Sequence, residues 1–242
     1  MRLRPLARHV GAASLAGIVA GMLVAGVLGR IAMRVAGFLS RPELIGVETS
    51  NGNRVGEITL AGTIVIAVFA GISAGLLGGA LYASAEPWLR RLRWRGVVFG
   101  VALLGGIGFT VIEPANFDFQ RFGSAGLNVL LFAALFVAFG VLVVWLFDRI
   151  RDAIARGGAI GTVLEIAAWL AALLSVVLVA GAFVSIGGID DPLLVVLAAV
   201  VLVVPAIVRW RALPRVIAYL AFAAPFIVGA VRTLAGMFEI AF

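Results

Sequence analysis

The sequence contains no cysteine and no lysine, and its single histidine, His9, lies in the basic N-terminal stretch. Without cysteine the chain forms no disulfide, no iron–sulfur cluster and no thiolate zinc site. Without lysine it cannot hold retinal as a Schiff base. We interpret His9 as a solvated residue at the membrane surface, which would leave no histidine inside the fold for haem, zinc-peptidase or Ser–His chemistry.

Charged residues are also scarce, at 13% of the chain against 63% hydrophobic residues. Soluble domains have about 25% charged and about 45–50% apolar residues. Because a bilayer accepts apolar side chains on every face of a helix, this composition predicts an all-α, polytopic transmembrane helical bundle. The net charge of +7 comes from arginines at the ends of apolar runs, not from a basic stripe with exposed aromatics. We therefore expect membrane lipids as partners and no nucleic acid.

Seven apolar runs divide the chain, and all but the last are free of charged residues. They cover residues 10–29, 58–85, 96–112, 122–147, 166–188, 192–208 and 217 onward, the last interrupted by Arg232. Most approach the ~20 residues that a helix needs to cross a bilayer, and the third and sixth are short. The runs do not alternate in polarity as strands of a membrane barrel do. The pattern predicts about seven transmembrane helices.

The arginines predict the orientation of these spans. Thirteen of the 19 arginines fall at one side of a seven-span arrangement, in the N-terminal stretch and in the segments after the second, fourth and sixth runs. The opposite side holds mainly acidic residues: Glu43, Glu48, Glu57, Glu113, Asp118, Asp190, Asp191 and Glu239. Positively charged segments stay in the cytoplasm, so the N-terminus is predicted to be cytoplasmic and the C-terminus external. The predicted location is the bacterial cytoplasmic (inner) membrane.

Glycine spacing divides the predicted bundle into two units. Residues 1–150 form a glycine-rich four-helix transmembrane unit with two short external loops, and residues 151–242 form a three-helix transmembrane extension. Glycines four residues apart allow helices to pack closely in a membrane. Such glycines occur in the first two runs, at Gly17, Gly21, Gly71, Gly75 and Gly79.

Charged residues near the predicted external ends of the spans form the candidate ligand site. Arg30 and Arg34 lie four residues apart, and so share one face of a helix. Arg232 lies about two turns inside the last span, and Glu113 and Asp118 are predicted at a similar depth. One interpretation is a set of salt bridges that pins the loops to the bundle. The alternative is a site for an anionic solute or a lipid headgroup.

Other candidate chemistry is weaker. Glu165 precedes an uncharged run that is already long enough to span, so we place it at the cytoplasmic interface rather than in the membrane. No phosphate-binding loop, zinc-peptidase motif or diphosphate-binding aspartate cluster occurs in the sequence. We therefore predict no catalytic residues, no metal ligands and no cofactor.

Residues 29–60 read GRIAMRVAGFLSRPELIGVETSNGNRVGEITL, with an arginine pair in G-R-x-A-M-R and a V-G-x-x-T-L segment that enters the second span. This stretch resembles uncharacterised multi-pass membrane proteins of actinobacteria and related high-GC bacteria. The resemblance covers residues ~10–150 and includes the short loop that begins at Glu113. That family has no assigned activity, so the resemblance implies no catalytic residues. It does direct attention to Arg30, Arg34 and residues 46–59.

Three functions remain open from the sequence. The first is transport or permeation of a small or anionic solute along a polar path between spans. The second is an accessory or structural subunit that packs against a membrane-protein partner, or against a second copy of itself, through its glycine faces. The third is a lipid-acting enzyme at the outer surface, which would need a carboxylate with a raised pKa beside the arginines. We favour the first two over an enzyme.

Overall fold

The computed structural model describes residues 3–39, 60–112, 124–184 and 215–241, and every regular element in these ranges is helical. In chain order the helices are α1 (Leu3–Gly21), α2 (Gly29–Phe38), α3 (Leu60–Val65), α4 (Ile72–Leu89), α5 (Arg95–Ile107), α6 (Ala125–Arg156), α7 (Gly158–Val184) and α8 (Arg215–Ala241). A π-helical segment (Met22–Leu28) joins α1 to α2, and another (Ile66–Gly71) joins α3 to α4. A 3-10 turn (Gly108–Thr110) follows α5.

Within the described ranges, four stretches of helix are long and apolar enough to cross a membrane. They are Pro5–Phe38, Gly62–Leu89, Ala125–Arg156 and Gly158–Leu178, with mean hydropathies of 2.1, 2.3, 2.9 and 2.1. The predicted helical membrane fold is thus confirmed in its general form. The predicted third span is shorter than the sequence pattern indicated, because α5 has 13 residues. At ~1.5 Å per residue this helix is roughly 20 Å long, less than the ~30 Å of the hydrocarbon core.

Many small residues lie inside the described bundle, and many large apolar residues face outward. Ala13, Ala16 and Ala20 have no exposed surface, whereas Phe69 and Leu130 are 71% and 68% exposed. In water such outward-facing groups would form large apolar patches. In a bilayer, helices gain little by burying large side chains and associate through small residues instead. The distribution is therefore the one expected for helices that face lipid.

The closest packing joins the first helix to α4. A Cβ atom built on Gly17 would lie 2.1 Å from the carbonyl oxygen of Gly75, and one on Gly21 would lie 2.1 Å from that of Gly71. Only glycine allows the two backbones to approach this closely. The close glycine packing predicted from the four-residue spacing is confirmed. Because Gly79 instead meets Ala13 and Ser14, the two helices run antiparallel.

Other glycine contacts fix the relative directions of the remaining helices. Gly100 meets Phe136 and Gly96 meets Val141, so α5 and α6 are antiparallel. On α7, Ala168 contacts Gly11 and Ser175 bonds to Ser14, so α7 runs parallel to α1. On α8, Phe226 contacts Gly106 and Thr233 contacts Gly108, so α8 runs parallel to α5.

Helix α6 is bounded by residues suited to helix ends. The side chain of Ser124 accepts a hydrogen bond from the backbone N–H of Leu127 at 3.5 Å, which caps the first turn. At the other end Gly157 and Gly158 have φ values of 73° and 76°. This left-handed conformation favours glycine, and it turns the chain directly from α6 into α7.

The bundle therefore has two ends. Helices α1, α5, α7 and α8 begin at one end, and α4 and α6 finish there; we call it the arginine-rich end, because Arg8, Arg95, Arg149 and the residues near them lie on it. We call the opposite end the Arg30 end. The predicted sixth span, residues 192–208, lies outside the described residues. The predicted boundary between two units near residue 150 stays a prediction.

Candidate functional site

Arg30 is buried at the start of α2. The buried residues of α2 are Gly29, Arg30, Ala32 and Gly37, and only 5% of the Arg30 surface is exposed. Helix α2 packs against α6 and against the preceding π-helical segment. The Nε and Nη2 atoms of Arg30 are buried and have no hydrogen-bond partner within the part of the chain that the structure describes.

The two unpartnered nitrogens of Arg30 lie on the same edge of the guanidinium. Their N–H bonds run side by side, in the geometry that binds two oxygens of a carboxylate or phosphate at once. A buried charge without a partner lowers the stability of the fold by several kcal/mol. Pairing with an opposite charge and hydrogen bonding offset most of this loss. The arrangement is chemically suited to hold a small anion with two adjacent oxygen atoms.

Two π-helical segments lie just below Arg30 and pack against each other. Gly26 of the segment Met22–Leu28 faces Ala67 of the segment Ile66–Gly71, and a Cβ on Gly26 would lie 2.6 Å from that of Ala67. The backbone N–H of Gly29 bonds to the carbonyl of Val24, five residues back. Such wide turns are frequent at functional sites. They interrupt both helices without proline, and the sequence analysis did not identify them.

The other predicted site residues have different surroundings. Arg34 is exposed on α2, one turn beyond Arg30. Arg232 is exposed on α8, with its Cζ atom 5.5 Å from the ring centroid of Phe109. Helix α8 packs on α5, whereas α2 packs on α6. Glu113 and Asp118 lie outside the described residues. Of the three arginines, only Arg30 is buried, and the full five-residue cluster stays a prediction.

The arginine-rich end contains a set of ion pairs that the sequence analysis did not predict. Arg95 pairs with Asp148, and Arg151 lies 3.5 Å from the same carboxylate. Arg8 pairs with Glu165 at 2.6 Å, and their side chains are 43% and 23% exposed. Glu165 thus has an arginine partner on α1, and its predicted interfacial position stays a prediction. The Arg95–Asp148 and Arg8–Glu165 pairs join helices that are distant in sequence, so spacing along the chain gave no sign of them. Arg151 and Asp148 lie three residues apart on α6.

The prediction for His9 is wrong. Helix α1 already begins at Leu3, so His9 lies within the bundle and is partly buried. Its Nε2 atom is 3.2 Å from the carbonyl oxygen of Ala83, and its ring meets Phe147 edge-on at 5.3 Å between centroids. His9 falls on the same helix face as Ala13, Ala16 and Ala20, and this periodicity is the signal that would have placed it inside.

Tyr82 is a further buried polar residue near His9. Its ring packs edge-on against Phe99 and Phe147, at 5.1 and 5.3 Å between centroids. The phenol oxygen is buried without a hydrogen-bond partner in the described ranges. Mid-bundle, Ser175 donates a hydrogen bond to Ser14 at 2.9 Å. Buried polar groups thus occur near both ends of the bundle and between them.

Comparison of the chain with protein-family models, with curated proteins and with solved structures finds no match. The structure by itself shows helices throughout the described ranges, four of them long and apolar enough to span a membrane. The resemblance to actinobacterial membrane proteins stays a prediction.

Proposed function

We propose that this protein carries a small oxyanion across the bacterial cytoplasmic membrane, and that Arg30 binds the anion. The observation that supports the proposal is the buried guanidinium edge of Arg30, whose Nε and Nη2 have no partner among the described residues. Charged side chains inside membrane helices are rare, and they commonly line the path of a substrate or ion. The π-helical segments below Arg30 supply the interrupted helices typical of transporter sites.

The chemistry of Arg30 favours an oxyanion over a halide. Two parallel N–H donors match two oxygens separated by a single central atom, as in nitrate, phosphate or a small carboxylate. A halide ion accepts hydrogen bonds without this preferred spacing. The substrate class we propose is therefore a small anion with at least two equivalent oxygens.

The accessory-subunit alternative loses its main support in this fold. It relied on glycine faces available to a partner, but Gly17, Gly21, Gly71 and Gly75 pack against one another within the chain. The enzyme alternative needs a carboxylate beside the arginines. Its candidates, Glu113 and Asp118, lie outside the described residues. Transport is the function that the described side chains support best.

Oxyanion binding can be measured on lipid-depleted protein in mild detergent. Nitrate and phosphate are expected to raise the melting temperature in a concentration-dependent way, and chloride at the same ionic strength much less. Arg30→Gln should abolish the difference between oxyanion and chloride, because the fork of donors is gone. Arg34→Gln is the matched control, since it removes the same charge from an exposed position one turn away.

Two results would contradict this site. One is an oxyanion response that survives in Arg30→Gln. The other is a response of the wild type to added phosphatidylglycerol only, which would show that Arg30 holds a lipid headgroup.

We also propose seven spans, with the N-terminus in the cytoplasm. The parallel directions of α7 and α8 support an odd number of crossings, because a chain that leaves α7 at the Arg30 end and enters α8 at the arginine-rich end has to return between them. The arginines at one end support the orientation.

The lack of native cysteine makes the orientation simple to test. In intact cells, a membrane-impermeant thiol reagent should label the single variant Glu239→Cys and should leave Arg91→Cys unlabelled until the cells are opened. Both residues are exposed, so neither substitution disturbs the core. The reverse pattern would invert the proposed orientation, and labelling of both variants in intact cells would contradict the odd span count.

A further inference from the structure

Five of the described arginines at the arginine-rich end differ in their partners. Arg8, Arg95 and Arg151 each pair with a carboxylate. Arg93 and Arg149 have no carboxylate partner in the described part of the chain, and each lies by an indole ring instead. The Cζ atom of Arg93 is 5.7 Å from the centroid of Trp94, and that of Arg149 is 5.6 Å from the centroid of Trp145.

The contact with an indole ring does not neutralise either arginine, so both charges remain available to bind an anion. A cation–π contact leaves the guanidinium charged and uses none of its N–H donors for a carboxylate, so the donors can still bind an anion. Tryptophan in membrane proteins lies at the depth of the headgroups and glycerol backbone. The two Arg–Trp pairs therefore present unneutralised donors at the depth where lipid phosphates occur.

The two pairs lie at one junction of the bundle. Arg95 is ion-paired to Asp148, and Gly96 packs against Val141, so the start of α5 lies beside the last turns of α6. Trp94 and Trp145 are 66% and 53% exposed. We call this junction, with Arg93, Trp94, Trp145 and Arg149, the α5–α6 seam.

Below the seam, α6 presents a continuous apolar stripe to the outside. Leu130, Ala134, Val141 and Trp145 are all exposed, at spacings that keep them on one helix face, and Arg149 follows one turn after Trp145. From Leu130 to Arg149 the stripe is about 28 Å long, close to the ~30 Å of the hydrocarbon core. An acyl chain can lie along the stripe while its phosphate reaches Arg149.

We propose that the α5–α6 seam is a binding site for one anionic phospholipid. Its phosphate accepts hydrogen bonds from Arg93 and Arg149, its glycerol region lies by Trp94 and Trp145, and one acyl chain follows the α6 stripe. The positive charge of the seam and its apolar continuation select an anionic lipid over a soluble phosphate. This site is at the opposite end of the bundle from Arg30 and does not depend on the proposed transport.

The test is native mass spectrometry of the purified full chain, mixed with equal amounts of phosphatidylglycerol and phosphatidylcholine. The wild type is expected to retain phosphatidylglycerol in preference. The double variant Arg93→Gln/Arg149→Gln should bind it about tenfold more weakly, because two phosphate contacts are lost. The control is Arg90→Gln/Arg91→Gln, which removes the same charge from exposed positions at the same end.

If the control retains the preference for phosphatidylglycerol and the Arg93→Gln/Arg149→Gln variant loses it, the result supports a lipid site at the α5–α6 seam. An equal loss in both variants would show that only the total charge of the arginine-rich end attracts the lipid, and would overturn the proposal. Equal retention of both lipids by the wild type would also overturn it. All four positions are exposed, and the melting temperature of each variant verifies that the fold is intact.

Discussion

Replacing Gly75 with alanine is expected to lower the free energy of unfolding by roughly 1–3 kcal/mol, the usual cost of overpacking a close-packed interior. The new Cβ would lie 2.4 Å from the carbonyl oxygen of Gly17 and 2.9 Å from the Cα of Ile18. Both are backbone atoms, so no side-chain rotation relieves the clash. Helices α1 and α4 would have to move apart along the whole contact that their glycines form.

Gly126 provides the matched control for this substitution. A Cβ on Gly126 would meet nothing within 4 Å, although the residue also lies in a helix. Alanine has a higher helix propensity than glycine by up to ~1 kcal/mol, so Gly126→Ala should be neutral or slightly stabilising. Unfolding by denaturing detergent measures both variants. Equal effects of the two substitutions would contradict the described packing of the first helix on α4.

Replacing Arg30 with methionine is expected to raise stability when no oxyanion is present. Methionine keeps much of the side-chain length but removes a buried charge whose Nε and Nη2 have no partner among the described residues. Removal of an uncompensated buried charge should stabilise the ligand-free protein by about 1–3 kcal/mol. A gain in stability with loss of binding is the usual signature of a residue kept for function.

This prediction is measured by thermal unfolding in a buffer whose only anion is chloride, which lacks the paired oxygens that the Arg30 guanidinium would bind. Arg34→Met is the control, and because Arg34 is exposed its effect should stay within about 0.5 kcal/mol. A large loss of stability in Arg30→Met would show that Arg30 forms a structural salt bridge with a carboxylate, for example Glu48, Glu113 or Asp118. The salt-bridge interpretation of the external cluster would then replace the ligand site.

The long apolar helices were predictable because a helix in the hydrocarbon core of a bilayer needs a run of about 20 mostly apolar residues. Long uncharged runs predicted the four long apolar helices of the described residues, and glycines four apart predicted the packing of Gly17 and Gly21 on α4, since both signals are local in sequence. The π-helical segments were not predictable in the same way. The two segments meet at Gly26 and Ala67, and this contact joins positions far apart in the chain.

The polar groups were harder to place than the helices. Arg30 and Arg34 look equivalent in sequence, and only the packing of α2 against α6 buries one and exposes the other. His9 was misplaced because its charged neighbours indicated a solvated tail, whereas Ala83 and Phe147 enclose it from other helices. The pairing of Arg95 with Asp148 likewise depends on the antiparallel arrangement of α5 and α6.

Oxyanion flux through proteoliposomes tests the central claim most directly. Liposomes are loaded with nitrate or phosphate, and release down the concentration gradient is followed for the wild type, for Arg30→Gln and for Arg34→Gln. The wild type and Arg34→Gln should release oxyanion faster than protein-free liposomes, and Arg30→Gln should not. Release by Arg30→Gln at the wild-type rate, or no release by any of the three proteins, would contradict the proposal that Arg30 binds a transported oxyanion.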